Sequence, residues 1–184
     1  MFVAIVAMVA FCACSSKSED IDFKIDKDTG FLLADGQTVK TLSFGWKSKK
    51  SLYDQVKSNV MKMYENPEFV MTENEPNQII VNGFTDYLFN YKKSYMDYSM
   101  GARYRILFEF KRGKIEVSAS ITEISYHEGS DDYSDSMINY IQLHKDNGYY
   151  GFLNKNNYYA KRLNKELNEA ANTMNVIISQ LVYM

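Results

Sequence analysis

The segment from Arg103 to Ile121 constrains the fold more than any other part of the chain. Tyr104, Ile106, Phe108 and Phe110 alternate with Arg103, Arg105, Leu107 and Glu109. Lys111-Arg112-Gly113-Lys114 then turns the chain, and Ile115, Val117, Ala119 and Ile121 alternate with Glu116, Ser118 and Ser120. Successive strand side chains point to opposite faces, so this period buries one face and leaves the other to water. Two such runs joined by a glycine-containing turn make an antiparallel hairpin, and a one-residue slip would turn its aromatic set out of the core. The cations of the turn read as a solvated hairpin tip rather than a phosphate site. With 21 basic against 23 acidic residues, no bulk charge supports the latter.

Other segments supply the cover for that buried face. Within Ser48 to Glu65, Leu52, Val56, Val60, Met63 and Tyr64 recur at helical spacing, with Ser48 as the N-cap and Asn66-Pro67 as the stop. From Asn157 onward, Leu163, Leu167, Ala170, Ala171, Met174, Ile177, Ile178 and Leu181 mark a final helix whose apolar face docks on the sheet. Lys40, Leu42, Phe44 and Trp46 share one side of a strand expected over 38–46. Ile21, Phe23 and Ile25 alternate with charged residues, and Asp26 to Gly30 turns the chain into Phe31-Leu32-Leu33, a small hairpin with Gly30 available for positive φ. The same turn has the look of a calcium loop. Gln37 stands where an EF-hand needs its last carboxylate, which favours a plain turn. Two short runs, Glu68 to Thr72 and Gln78 to Phe84, flank a polar turn at Glu73 to Asn77. Residues 122–155 carry Tyr126, Tyr133, Tyr140, Tyr149 and Tyr150 without a readable period. The expectation is one α+β domain over residues 23–184, an antiparallel sheet with helices on one face and a C-terminal helix.

The start of the chain reads as an address. Phe2 to Ala13 is uncharged and apolar but shorter than the ~20 residues of a spanning helix. It has the length of a signal-peptide core, and small Ala13 precedes Cys14. That arrangement resembles a bacterial lipoprotein signal, in which residues 1–13 are removed and Cys14 becomes the lipidated first residue. The thiol carries the diacylglycerol, and a small preceding residue fits the peptidase. Phe11 stands where the pattern prefers an aliphatic residue, and no basic residue precedes the apolar run. A buried N-terminal strand or helix with two incidental cysteines is the other reading. Residues 14–22 would then be a tether, and its Ser-Lys-Ser-Glu-Asp stretch is similar to acidic surface-export signals of some Gram-negative lipoproteins, or is simply a solvated linker. The resemblance implies a lipid-anchored protein of the cell envelope, held at the outer membrane with its periplasmic or surface face left open. With Cys14 lipidated, no thiol remains for a nucleophile, a disulfide or a thiolate metal site.

Lys50-Ser51-Leu52-Tyr53, Ile79-Ile80-Val81-Asn82-Gly83, and Tyr104-Arg105-Ile106 through Lys114-Ile115 resemble the bacterial family catalogued as domain of unknown function 4468. The resemblance covers about residues 38–125. It implies a TATA-binding-protein-like fold, a curved antiparallel sheet with helices packed on one face. The family carries no established activity, so it implies no catalytic residue.

Chemistry-bearing residues are sparse. His127 and His144 are the only groups that titrate near neutrality when unperturbed. His127 with Glu128, Asp131, Asp132 and Asp135 reads as a polar loop rather than a metal cluster, since such sites need ligands that converge. No metalloprotease, nucleophile-elbow or phosphate-loop motif occurs, and no catalytic residue, metal or cofactor is expected. Tyr87, Tyr91, Tyr95 and Tyr98 bracket a polar segment between the central strands. A flat apolar ring with a hydroxyl suits sugars and protein interfaces, so these four are a candidate binding surface. Half-buried sheet and loop tyrosines are the alternative. The leading expectation is a non-catalytic binding or structural module, anchored to the membrane through its lipid and offering its sheet or aromatic loops to a protein or glycan. The rival is an exported hydrolase acting on envelope or glycan substrates, whose acids converge in a pocket. Nucleic acid is not an expected partner, because the chain carries a net charge of -2 and reads as exported.

Overall fold

The computed structural model describes residues 20–26, 29–93, 96–126, 136–139 and 157–184. Along them run β1 (Lys24–Ile25), β2 (Leu32–Leu33), β3 (Lys40–Ser43), α1 (Lys49–Met63), α2 (Pro67–Val70), β4 (Met71–Asn74), β5 (Gln78–Lys93), β6 (Met96–Lys111), β7 (Lys114–Tyr126), β8 (Ser136–Asn139) and α3 (Asn157–Tyr183).

The hairpin expected from the alternation is the centre of the molecule. β6 and β7 pair from Lys111↔Lys114 through Phe110↔Ile115 and Phe108↔Val117. β5 pairs with the other edge of β6, and the antiparallel sheet runs β3-β7-β6-β5-β4, with β8 joining β7 near its far end. Ile79, Val81, Ala102, Tyr104, Ile106, Phe108, Phe110, Ile115, Val117 and Ile121 all point to one face and are buried there. β1 and β2 form a separate ribbon, with Gly30 at φ 75 in the turn between them.

Both long helices lie on the buried face. The Ser48 hydroxyl accepts from the Ser51 N–H at 3.1 Å and starts α1, whose Leu52, Tyr53, Val56 and Val60 are buried. α3 contributes Ala170, Ala171, Met174, Ile178, Leu181 and Val182 to the same core. Two amides of α1 reach across to the end of α3, where helix carbonyls lack intrahelical partners. Asn59 Nδ2 donates to the Leu181 carbonyl at 3.1 Å, and Gln55 Nε2 to that of Val182 at 2.6 Å. Asn59 is therefore buried but satisfied. Asn175 on α3 clasps the start of the domain, accepting from the Phe23 N–H and donating to the Phe23 carbonyl, both at 3.0 Å.

Several elements differ from the sequence expectation. β3 stops at Ser43 instead of reaching residue 46, because Gly45 takes φ 60 and turns the chain. Trp46 is consequently 92% exposed instead of sharing the face of Leu42. Residues Pro67–Val70 are a helical turn with Pro67 in its first turn, so the strand begins only at Met71. The polar segment between the central strands is not a loop over most of its length. β5 continues to Lys93 and β6 begins at Met96. β7 likewise runs on to Tyr126, into the stretch that had no readable period. Cys14, Tyr95, His127, His144 and the Asp131, Asp132 and Asp135 run lie outside the described residues. No helix among the described residues is long and apolar enough to cross a membrane.

Candidate functional site: the uncovered sheet face

The pleat that sends Ile79, Val81 and Tyr104 inward sends Ile80, Asn82 and Phe84 of β5 to the opposite face, with Arg103, Arg105 and Leu107 of β6 beside them. These residues are exposed or half-buried. The register lays them in rows: Ile80, Leu107 and Ser118; then Asn82, Arg105 and Ser120; then Phe84, Arg103 and Glu123. A bulge at Arg103/Tyr104 leaves Thr122 unpaired in β7, and its hydroxyl donates to the Arg103 carbonyl at 3.2 Å. Bulges redirect side chains. Here the result sets Glu123 Oε2 3.5 Å from Arg103 Nε, so that arginine's charge is locally balanced. Arg105 makes no ion pair or hydrogen bond among the described residues.

Two depressions adjoin across these rows. The larger, about 670 Å³, lies between Phe69 and Val70 of α2 and the Phe84, Arg103 and Glu123 row. The smaller, about 250 Å³, is lined by Phe31, Val39, Arg105, Leu107, Ser118 and Ser120. Phe31 reaches it because it bridges Ser120 outside the named strands. The exposed Phe69, Phe84 and Phe31 thus frame a shallow trough floored by arginine stems, serines and one asparagine. Flat rings and guanidinium planes suit extended or planar ligands. Among the described residues the trough brings together no histidine, and its one carboxylate, Glu123, is engaged by Arg103.

Tyr87, Tyr91 and Tyr98 lie further along β5 and β6. Tyr87 sits in the irregular stretch between Thr85 and Phe89, where the ladder shifts register. Its hydroxyl donates to Glu169 on α3, and that carboxylate holds the phenol above its ordinary range. Glu169 also accepts from the Asn90 N–H, while Thr173 Oγ1 donates to the Leu88 carbonyl at 3.0 Å, so α3 borders this edge of β5. Tyr91 and Tyr98 are partners across β5 and β6. Sequence reasoning missed the trough. The signal that could have found it is the apolar set Ile80, Phe84 and Leu107 on positions that face away from the core.

A strongly paired antiparallel sheet, with both long helices on one face and the C-terminal one closing the core, makes an α+β fold of the TATA-binding-protein-like kind. The chain is similar in fold to a TBP-like protein from Parabacteroides distasonis, with a TM-score of 0.51 and 13% identity, covering 78% of this chain and 87% of that one. A DUF4468 family protein from Bacteroides ovatus aligns with a TM-score of 0.48 and 12% identity, over 89% of this chain and 96% of that one. No family model and no curated protein sequence matches the chain. Fold likeness at this identity carries no activity with it.

Proposed function

We propose that this is a lipid-anchored envelope protein, non-catalytic, that binds a protein or glycan partner in the trough on its uncovered sheet face. The observation that carries the reading is the trough itself. It sets the exposed rings of Phe31, Phe69 and Phe84 around central strands that carry an uncompensated Arg105, on the face opposite α1 and α3. The envelope location rests on the Phe2 to Ala13 run followed by Cys14. Membership of the family of unknown function belongs to the same reading, supported by Lys50 to Tyr53 on α1 and Ile79 to Gly83 on β5. Acids share the open face with the arginines, Glu109 beside Glu116 and Glu123 on Arg103, which supports a partner other than a polyanionic duplex.

The test is a pull-down from intact membranes followed by mass spectrometry, comparing the native chain with a Phe84→Asp, Arg105→Glu variant. Both substituted side chains are exposed, so folding should be kept. A specific protein or glycan recovered with the native chain and lost with the variant is expected. Recovery of nothing specific, or of a partner that the variant retains, would overturn the reading.

A further inference from the structure

Trp46 is the chain's single tryptophan, and it stands 92% exposed on the turn between β3 and α1. An indole so placed leaves a large apolar surface in water, and the turn is not a loose one. Gly45 at φ 60 and Gly113 at φ 69 allow the β3–α1 turn and the β6–β7 hairpin tip to lie backbone against backbone. The Phe44 N–H donates to the Gly113 carbonyl at 2.8 Å, and the Gly113 N–H to the Lys47 carbonyl at 2.9 Å. The approach is so close that a Cβ on Gly113 would lie 2.2 Å from the Gly45 oxygen. Two tips are thereby locked into one knob with Trp46 projecting from it.

The knob is cationic. Lys47 and Lys49 follow Trp46, and Arg112 and Lys114 flank Gly113. Lys47 and Lys49 hydrogen-bond only to neutral amides, of Gln55 and Asn77, and none of the four meets a carboxylate among the described residues. Trp46 lines neither depression of the trough, so the indole is not part of that site. A convex aromatic tip ringed by uncompensated cations matches a bilayer interface instead. Indoles settle at the headgroup level, while lysines and arginines extend to anionic lipids around them. The start of the domain lies near the knob, since Asp22 pairs with Lys40 and the four-residue β3 runs from Lys40 to the knob's base.

We propose that the joined tips around Trp46 rest on an anionic lipid bilayer, with the indole in the interface and Lys47, Lys49, Arg112 and Lys114 among the headgroups. This contact is separate from the sulfur-borne anchor and from the trough, and it would fix which way the domain faces above the membrane.

The single tryptophan makes the test direct. The full chain is mixed with vesicles of phosphatidylcholine alone or of phosphatidylcholine with phosphatidylglycerol, each with and without brominated acyl chains, and bound protein is measured by cosedimentation. On the phosphatidylglycerol vesicles Trp46 emission should shift to shorter wavelength and lose intensity to the brominated chains. Both changes should shrink in an Arg112→Glu, Lys114→Glu variant and on zwitterionic vesicles. Protein that sediments with vesicles while its emission stays water-like and unquenched would overturn the proposal and leave the lipid anchor standing. Absence from the anionic vesicles would overturn it as well. So would an emission shift caused by a vesicle-free acidic polysaccharide and not by lipid.

Discussion

Gly83 and Tyr104 are cross-strand partners, and the tyrosine ring fills the space where any side chain on residue 83 would begin. A Cβ there would lie 2.4 Å from Tyr104 Cζ and 2.5 Å from its hydroxyl. The ring cannot swing away freely, since Tyr104 is only 2% exposed and its hydroxyl lies 2.6 Å from that of Tyr64. Gly83→Ala should therefore cost about 1–3 kcal/mol, the range for overpacking a well-filled site, read as a lowered urea midpoint. Adding Tyr104→Val removes the obstructing ring, so the double variant should lose less than the sum of the single losses. Strict additivity would show that the ring is not the obstacle.

Phe108 is fully buried at the middle of the central hairpin. Phe108→Ala should destabilise by about 3–5 kcal/mol through lost burial and the cavity left behind. Leu107→Ala, one residue away on the trough side, should cost far less. Similar losses for the two in a denaturant titration would mean that the hairpin's inner face is assigned the wrong way round.

The Ser48 cap is a local device with a local cost. Ser48→Ala removes the acceptor for the Ser51 N–H and should cost about 1 kcal/mol, whereas Ser48→Gly should cost only a few tenths. Thermal midpoints of the two variants, measured side by side, check the difference.

Acid should weaken the fold partly through Glu73. The Lys57 ammonium, 2.7 Å away, and then the Tyr53 hydroxyl hold its carboxyl below the ordinary value of 4.5. A depressed folded-state pKa stabilises above the unfolded value and is lost as pH falls through the folded one. Stability should thus be flat near neutrality in this respect and decline below about pH 5. Glu73→Gln should flatten that acid limb in a series of denaturant midpoints against pH. Tyr53 works at the other end, because burial and then the Glu73 hydrogen bond push its phenol upward from 10.0. Its contribution is full below the unfolded value and fades in stronger alkali.

Cys14→Ser should release the protein from the membrane fraction, because the thiol that would carry the lipid is gone. Fractionation of cells expressing the variant measures this directly. Unchanged membrane association would remove the lipidation reading while leaving the fold and the trough untouched.

Periodicity decides how much of this molecule is legible in its sequence. Tyr104 to Phe110 and Ile115 to Ile121 alternate with only Leu107 apolar on the outward side, so the hairpin and its buried face can be read directly. The stripes of α1 and α3 are equally plain. Beyond Thr85 the alternation fails for a physical reason. The register shift between Thr85 and Phe89 changes the phase, so the neighbours Leu88 and Phe89 are both buried and the segment loses its strand signature. Trp46 fits the pattern of Leu42 and Phe44, yet one left-handed glycine at position 45 sends it outward. The trough is less visible still, since Phe31, Phe69, Phe84 and Arg105 are far apart in the chain and meet only after the sheet has formed.

Asn175 imitates a neighbouring strand, giving and taking one hydrogen bond with the main chain of Phe23. Phe23, near the start of the domain, is therefore fastened to α3, and traction applied from the N-terminal side loads the two together. Bonds lying side by side yield in concert rather than one after another, which gives the domain a grip suited to being tugged.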